Sequence, residues 1–293
     1  MTKRVVIFAG HNRKSKIENY VLYYLKGLRE IADTLIYAAD NEPSPIYLQQ
    51  LEKIVDKAVF EKHGEYDFGS WKRGLRVASQ LSLFADADEL VLCNDSCYGP
   101  VFPFAEMFTC MENSRGDFWG VTKNCQSALE HLQSYFMVFK KNVFNSALFK
   151  DFFEGVTQEK SFWDVVSRYE VGLSRLLIEK GKYSFDVYCT INSGISNPCK
   201  YGCQLLAARS PLIKRKIFSR GGFSKNSVTR LLSNIPNDEI KKFMRDDYFA
   251  FFFKRIKYSI LRFFYQNKMT KSGHRIIKIC KIPLFCITTS YDL

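Results

Sequence analysis

Short, uninterrupted apolar segments separated by helical patterns are the feature that most constrains the fold of this chain. Three such segments are RVVIFAG at Arg4–Gly10, TLIYAA at Thr34–Ala39 and ELVLCN at Glu89–Asn94. They lack the alternation of apolar and polar residues that is typical of a strand with one solvent-exposed face. Each therefore predicts a strand buried on both faces. Apolar residues at helical spacing, as in residues 17–31, predict helices between them. Strands that alternate with helices predict right-handed βαβ units and an α/β fold with a mainly parallel central sheet.

Polar residues follow directly after one of these strands, in the segment LVLCNDSCYGP. Ligands of parallel α/β sheets bind beyond the carboxyl ends of the strands. The carboxylate of Asp95 at that edge predicts a site for phosphates or for a divalent cation, Mg²⁺ or Mn²⁺, that neutralises them. Asn94 and Ser96 would add hydrogen-bonding groups beside it. Taken alone, the same three residues also fit a turn or a helix cap.

The segment EYDFGSWKRGL, about twenty residues earlier, strengthens the prediction of a nucleotide site. Asp67 could accept hydrogen bonds from a base or ribose, and Gly69 would let the backbone approach a ligand closely. Lys72 and Arg73 are expected to face a diphosphate. The alternative is that Asp67 caps a helix and that the two cations are solvated.

The positive charge belongs to one part of the chain. The net charge is +13, but residues 212–281 contain 18 Lys+Arg and 4 Asp+Glu, a net of +14. The remaining residues are therefore close to neutral. We expect a basic C-terminal extension to be attached to a nearly neutral domain.

Residues 249–265 combine this basicity with aromatic side chains and predict a helix that lies on an anionic membrane surface. The alternative is a helix packed on the main domain. Nucleic acid is not the expected partner, because aromatic residues that stack on bases would be spread among the cations rather than collected on one stripe. The predicted apolar side consists of Phe249, Phe252, Phe253, Ile256, Ile260, Phe263 and Phe264.

Other classes of protein are disfavoured by the sequence. The nine cysteines form no four-ligand metal pattern with the histidines and are expected to be reduced. No run of eighteen apolar residues predicts a membrane span, and the apolar run near the N-terminus is too short for a signal peptide. We therefore expect a cytoplasmic protein that is peripheral on the inner face of the cytoplasmic membrane.

Four motifs in this order, EYDFGSWKRGL, LVLCNDSCYGP, DFWGVT and HLQSYFMVF, resemble the rhamnan synthesis protein F family of bacterial polysaccharide glycosyltransferases. The resemblance covers residues 3–218. It implies a GT-A-type, Rossmann-like nucleotide-diphospho-sugar transferase domain over residues 1–218, followed by a basic α-helical extension over residues 219–293. Asp95 would stand for the acidic motif of such enzymes, although NDS supplies one carboxylate where many relatives have two or three.

The resemblance also implies residues for the acceptor side. By analogy with GT-A enzymes of the family 2 type, Glu170 in RYEVGLSRLLIEKG would be the catalytic base that removes a proton from the acceptor hydroxyl, and Asp164 is the reserve candidate. The alternative is that Glu170 is an exposed helix residue that pairs with Arg168 or Arg175. Trp119 would stack on a sugar face. Gln133, Ser134 and Tyr135 would offer polar groups to sugar hydroxyls.

Two functions follow as hypotheses. The first is an inverting glycosyltransferase that moves a sugar, L-rhamnose from dTDP-L-rhamnose by resemblance, to a lipid-linked cell-surface polysaccharide such as an O-antigen. The second, suggested by the single carboxylate of Asp95, is a catalytically weak subunit that binds or assembles a polysaccharide synthesis complex at the membrane.

Overall fold

The computed structural model describes residues 2–125, 130–190, 197–220, 225–269, 275–279 and 282–287. Side chains of Arg13, Arg220, Lys225 and all residues from 254 onward lie outside this description. The chain divides into two compact units, residues 1–244 and 245–293, and each is described by itself. The domain boundary after Phe218 stays a prediction.

A seven-stranded sheet forms the centre of the first unit, in the order β10-β6-β9-β4-β1-β2-β3. Six strands run in one direction and only β9 runs antiparallel to its neighbours β4 and β6. The prediction of an α/β fold with a mainly parallel central sheet is therefore confirmed. The strands of this sheet are β1 Arg4–Gly10, β2 Thr34–Ala39, β3 Lys57–Phe60, β4 Glu89–Asn94, β6 Phe118–Gly120, β9 Phe136–Lys140 and β10 Phe185–Val187.

Two small antiparallel pairs accompany the central sheet in this unit. They are β5 Cys97–Tyr98 with β11 Ile213–Lys214, and β7 Lys123–Asn124 with β8 His131–Leu132. The α-helices are α1 Asn19–Arg29, α2 Pro45–Leu51, α3 Tyr66–Gln80, α4 Phe104–Met111, α5 Lys141–Phe144, α6 Ala147–Glu154, α7 Phe162–Val165, α8 Gly172–Arg175, α9 Gly202–Ala207, α10 Ile217–Arg220, α11 Lys225–Ser233 and α12 Asp238–Phe264.

The central strands are apolar throughout because both faces of the sheet are covered. In β1, Val6 and Phe8 pack into the core on one face, whereas Val5 and Ile7 pack into the core on the other. Helix α3 lies very close to this strand, since a Cβ atom on Gly74 would stand 2.3 Å from Ile7 Cγ2. The glycine is thus required by helix–strand packing.

The predicted helix over residues 162–180 is present but is not regular. Two π-helical segments, Val166–Val171 and Leu176–Lys180, alternate with α7 and α8. Gly181 ends this helix with a φ of −76°, and the residue with a positive φ, 56°, is Lys182. Gly181 is needed instead for space, because a Cβ atom there would stand 2.5 Å from the Tyr183 ring.

The C-terminal extension is helical as far as Phe264, through α11 and α12. Helix α12 includes all but the last residue of the predicted surface helix 249–265. Three antiparallel strands that the sequence did not indicate follow it: β12 Tyr265–Met269, β13 Arg275–Ile279 and β14 Ile282–Ile287. Within the described residues, no helix combines the length and the apolar character that crossing a bilayer requires.

Candidate active site

A polar cleft of about 370 Å³ opens beyond the carboxyl ends of the central strands. Strands β1 and β4 are paired so that Ala9 lies opposite Asn94, and both chains leave the sheet at this edge. The cleft is therefore at the position where α/β folds bind their ligands. It is lined by Tyr66, Asp67, Phe68, Asn94, Ser96, Asn124, Gln133, Ser134, Tyr135, Phe162, Trp163, Val165, Val166, Glu170, Asn197, Pro198, Cys199, Lys214 and Lys216.

Asn94 connects the two motifs that the sequence singled out. Its side-chain amide donates to Asp67 Oδ2 at 2.8 Å. Its Oδ1 accepts from the backbone N–H of Ser96 at 3.1 Å and from the Ser96 hydroxyl at 2.5 Å. The structure thus brings Asp67, Asn94 and Ser96 together on one wall of the cleft. The motifs are neighbours because the helix that begins at Tyr66 packs on β1, which pairs with β4, and because Trp71 Nε1 donates to the Cys93 carbonyl at 2.9 Å.

Asp95 lies beside this wall and is not among the residues that line the cleft. Its Oδ2 accepts a hydrogen bond of 2.9 Å from the backbone N–H of His11, just after β1. Its carbonyl accepts from the Tyr20 hydroxyl at 2.8 Å. The carboxylate therefore bridges the ends of β1 and β4.

Two carboxyl groups at this edge have raised pKa values. Burial, followed by the negative charge of Asp95, raises the pKa of Asp67 to about 7. Burial raises the pKa of Asp95 to about 6, although the His11 N–H and the charges of Arg215, Lys214 and Lys216 oppose this increase. A group of titratable residues with such shifts in a cleft is typical of a functional site.

Lys214 and Lys216 bring positive charge into the same cleft. Strand β11 pairs with β5 so that Lys214 lies opposite Cys97, and the Arg215 N–H donates to the Ser96 carbonyl at 2.9 Å. This pairing holds the Lys214 ammonium 2.8 Å from the Ser96 hydroxyl and 4.3 Å from the centre of the Tyr135 ring.

These two lysines were not predicted as site residues, because the positive charge after residue 212 was attributed as a whole to the basic extension. The signal that could have found them is the position of IKRK within the part of the chain that resembles the family.

Glu170 also lines the cleft and lies in the π-helical segment Val166–Val171. Its Oε2 accepts from the backbone N–H of Ser134 at 2.9 Å and also from the Ser134 hydroxyl. His131 Nε2 stands 3.8 Å from Glu170 Oε1. Single π-helical turns occur often at functional sites, where they position a side chain that a regular helix would turn away.

The remaining polar acceptor candidates also line the cleft. Tyr135 is almost fully buried, and its hydroxyl stands 2.7 Å from Thr122 Oγ1. Thr122 donates to Gln133 Oε1 at 2.5 Å. These contacts hold Gln133 and Tyr135 rigidly at the base of the cleft, next to Ser134.

Three of the predicted nucleotide-binding residues contact other parts of the protein and do not line the cleft, contrary to expectation. The buried Lys72 ammonium donates to the Val156 carbonyl at 2.7 Å. Arg73 is paired with Glu65 and, at 2.9 Å, with Glu61. Gly69 is required by a close approach within the protein, not by a ligand, because a Cβ atom there would stand 2.6 Å from His63 Nδ1.

Two acceptor-side candidates are also placed away from the cleft. Trp119 is 1% exposed and contacts Phe108 at a ring-centre distance of 5.2 Å, so it is part of the core and cannot stack on a sugar. The reserve base Asp164 accepts from the Ser161 hydroxyl at 2.8 Å at the start of α7 and does not line the cleft.

An aromatic rim, formed by Tyr66, Phe162 and Trp163, surrounds part of the opening of the cleft. The ring centres of Phe162 lie 5.7 Å from those of Trp163 and 6.2 Å from those of Tyr66. None of these residues was predicted as a site residue. The signal in the sequence was the aromatic pair FW between polar residues at a helix start.

The side chains at the edge of the sheet can accommodate a divalent cation only with help from a ligand. In the described part of the chain, no group of three or more His, Cys, Asp or Glu side chains is suited to hold a metal ion. Asp67 and Asp95 offer two carboxylates whose charges repel each other. That set fits Mg²⁺, which is commonly bound by one or two carboxylates together with substrate phosphates.

Fold and cleft together define an α/β protein with a ligand site beyond the carboxyl ends of a mainly parallel sheet. The chain belongs to the rhamnan synthesis protein F family, whose model matches residues 35–282. The predicted family is thus confirmed. Two curated relatives, both the virulence protein VirA of Vibrio anguillarum, are 28% identical over 183 residues. The match covers 61% of this chain and 57% of each relative, so the chain spans less than two thirds of their length.

Solved structures resemble the chain loosely. A 4-diphosphocytidyl-2C-methyl-D-erythritol synthase from Anaerococcus prevotii has a TM-score of 0.43 at 9% identity, over 71% of this chain and 95% of that one. A glycosyltransferase involved in glycosylation of the PBCV-1 major capsid has a TM-score of 0.40 at 11% identity, over 72% of this chain and 94% of that one. S. aureus TarS 1-349 has a TM-score of 0.38 at 10% identity, over 95% and 97%. No functional conclusion is drawn from likenesses at this level.

Proposed function

We propose that the protein is a GT-A-type glycosyltransferase that moves a sugar from a nucleoside-diphospho-sugar to a polysaccharide acceptor carried on a lipid. The observation that carries this proposal is that one cleft contains both cations suited to a diphosphate and a hydrogen-bonded glutamate. Membership of the rhamnan synthesis protein F family supports polysaccharide synthesis as the context. It also supports L-rhamnose, carried by dTDP, as the donor sugar to test first.

The donor diphosphate is bound in this proposal at the wall that contains Asn94 and Ser96. Lys214 already donates to the Ser96 hydroxyl, and Lys216 lines the same cleft. Hydrogen bonds from ammonium groups to phosphate oxygens are short and strong, so these lysines would bind the diphosphate and stabilise its added charge as it leaves. Asp67 lines the same wall, where its carboxylate would contact the ribose or, together with the neighbouring Asp95, a cation bound to the phosphates.

Glu170 is the proposed base. Ser134 engages Oε2 through two donors, and this fixes the orientation of the carboxylate. Oε1 then accepts the proton of the acceptor hydroxyl while the acceptor oxygen forms a bond to the anomeric carbon. The bond from that carbon to the phosphate oxygen breaks, and the nucleoside diphosphate leaves with its electron pair. Attack from the face opposite the leaving group would invert the configuration at the anomeric carbon.

A divalent cation, when bound, would be held by Asp67 and Asp95 and would supply positive charge to the diphosphate. The chain's own lysines supply the same kind of charge from the other side of Ser96. We therefore propose that donor binding has a component that remains when divalent cations are removed.

A second function is favoured by one specific observation. The single carboxylate of the NDS motif is engaged by the His11 N–H and does not line the cleft. This fits a protein that binds a nucleotide sugar or glycan and contributes to assembly without fast turnover. Nucleotide binding without nucleotide release in the presence of acceptor would distinguish this function from transfer.

Attachment to a membrane is proposed for the segment 249–265. Helix α12 includes most of it, and Phe249, Phe252 and Phe253 are 48%, 45% and 64% exposed. Exposed aromatic side chains next to cations suit the interface of an anionic bilayer. A peripheral position on the inner face of the cytoplasmic membrane would bring the cleft to a lipid-linked acceptor.

A donor screen tests the proposed function. The protein is incubated with oligosaccharide acceptors and with dTDP-, UDP- and GDP-sugars, including dTDP-L-rhamnose, with and without Mg²⁺, and the released nucleotide is measured. Release with one donor, lost in Glu170→Gln, is expected. Binding of a nucleotide without release under any condition would overturn transferase activity and support the second function.

A further inference from the structure

Trp163 is exposed in a protein that otherwise buries its tryptophans. The chain has three, of which Trp71 is 0% and Trp119 1% exposed, whereas Trp163 is 72% exposed. A tryptophan has the largest apolar surface of any side chain, so leaving it in water forgoes much of the stabilisation that burial would give. One exposed apolar residue is ordinary in a folded protein. Whether Trp163 is part of a binding surface therefore depends on the residues around it.

Two further rings continue the exposed surface. Phe162 is 42% and Tyr66 is 49% exposed, and both contact each other at the opening of the cleft. Tyr66 has a φ of 56°, a left-handed conformation that costs a non-glycine residue about 1 kcal/mol or more. The fold thus retains a strained backbone at the residue that contributes the third ring. Strain of this kind persists where the surrounding structure fixes it, often at ligand-binding sites.

Two residues of the rim, Phe162 and Trp163, lie on the same helical stretch of the chain as the glutamate. Trp163, Val166 and Glu170 follow each other at the spacing of one helix face, and all three line the cleft. Gln133 and Ser134 provide an amide and a hydroxyl nearby. A ligand on the rim would therefore meet aromatic faces first and hydrogen-bonding groups deeper in the cleft.

The arrangement of the rings favours a sugar over a nucleobase. The planes of Phe162 and Trp163 meet at 66°, and those of Phe162 and Tyr66 at 63°. Such rings form an uneven surface and not a parallel slot for a flat base. A pyranose ring presents C–H groups on its faces and hydroxyls at its edge, which match aromatic faces and polar groups respectively. A membrane surface is disfavoured because the exposed carboxylate of Asp164 is adjacent to Trp163.

We infer that Tyr66, Phe162 and Trp163 form a binding site for a pyranose ring of the acceptor glycan, which orients an acceptor hydroxyl towards Glu170. The identification of the bound glycan as the acceptor rests on the proposed function. Glycan binding itself requires neither a donor nor turnover. The two can therefore be tested separately.

The test uses the fluorescence of Trp163 in the full chain. Because the other two tryptophans are buried, quenching by iodide reports Trp163. The probes are tetrasaccharides of rhamnan, glucan, mannan and galactan at millimolar concentration, dTDP and UDP, and vesicles of phosphatidylserine and phosphatidylcholine. At least one tetrasaccharide is expected to protect Trp163 from iodide. The same glycan should bind roughly tenfold more weakly to Trp163→Ala in calorimetry, whereas Trp163→Phe should retain most of the affinity.

Ile46→Ala is the matched control, because Ile46 is 63% exposed and does not line the cleft. It should bind the glycan as the unchanged protein does. Protection by none of the tetrasaccharides, or protection only by nucleotides or only by vesicles, overturns the inference. If no donor is turned over but a tetrasaccharide protects Trp163, the site stands and the transferase proposal fails. If a donor is turned over and Trp163→Ala has unchanged glycan affinity and KM for acceptor, the transferase proposal stands and the glycan site on the rim is refuted.

Discussion

The side-chain ammonium of Lys214 donates a hydrogen bond of 2.8 Å to the hydroxyl of Ser96. These residues are more than a hundred positions apart, and the pairing of β11 with β5 brings them together. The bond places a cation at the end of the strand that ends in Asn94. The first prediction follows from this contact.

Lys214→Ala should weaken the binding of dTDP or UDP by about tenfold, because a hydrogen bond to a charged group contributes about 1.5–3 kcal/mol. Isothermal titration calorimetry in EDTA measures the affinity without a contribution from divalent cations. Lys57→Ala, which removes an exposed lysine from β3, is the control and should bind normally. Equal affinities for a folded Lys214→Ala and the unchanged protein would exclude this lysine from the phosphate site.

The raised pKa values of Asp67 and Asp95 predict a pH dependence of stability. Between the ordinary value of 3.8 and the folded values of about 7 and 6, the folded chain retains protons that the unfolded chain has released. The contribution of these groups to the free energy of unfolding is therefore greatest at low pH and falls as the pH rises towards 7.

Asp67→Asn removes one of these charges and keeps an acceptor for Asn94. It should stabilise the protein by on the order of 1–2 kcal/mol at about pH 8 and have little effect at about pH 4. Urea unfolding in EDTA at both pH values measures this difference. Asp151→Asn, at an exposed position on α6, should have no such pH-dependent effect. A stabilisation of equal size at both pH values would contradict the assigned cause.

Glu170→Gln should reduce sugar transfer by about a hundredfold or more, because general-base catalysis contributes that much, and it should leave nucleotide affinity unchanged. Glutamine can still accept the hydrogen bonds from Ser134, so circular dichroism should be unaltered. Glu179→Gln, at an exposed position further along the same helix, is the matched control. Full transfer by Glu170→Gln would show that Glu170 is not the base.

Binding to anionic vesicles should depend on the basic residues of the segment 249–265. Replacing Lys254 and Lys257 by Glu should weaken co-sedimentation with phosphatidylserine vesicles by at least tenfold, since each cation near such a surface contributes about 1 kcal/mol. Binding of the unchanged protein should also fall with added salt. Lys53→Glu, at an exposed position before β3, serves as the control. Salt-independent binding, or none at all, would refute the membrane role.

The sequence predicted those parts of the fold that local patterns determine. The apolar run of β1 indicated a strand buried on both faces, and the polar residues after β4 indicated the edge where the cleft lies. Asp67, Asn94 and Ser96 were predicted together because parallel strands and their following helices meet at one edge.

What the sequence did not predict depends on helix rotation and on long-range pairing. The close packing of Gly74 on Ile7 fixes the rotation of α3, and this turns Lys72 inward to the Val156 carbonyl rather than towards a phosphate. Lys214 reaches Ser96 through a strand pairing that spans more than a hundred residues. Trp119 and Trp163 have the same side chain, but Trp119 is buried in the core and Trp163 is exposed on the surface. This difference depends on the tertiary structure.

Glu170 lies in the π-helical segment Val166–Val171, which begins three residues after Trp163. Each residue of an α-helix advances the side chain by about 100° around the axis, so the loss or gain of one residue between them would turn the rim away from the glutamate without changing either side chain. Under the proposed roles, the number of residues between Trp163 and Glu170 therefore determines whether a sugar bound on the rim presents a hydroxyl to the glutamate. Insertions or deletions here would alter which hydroxyl is glycosylated before they alter whether a glycan binds.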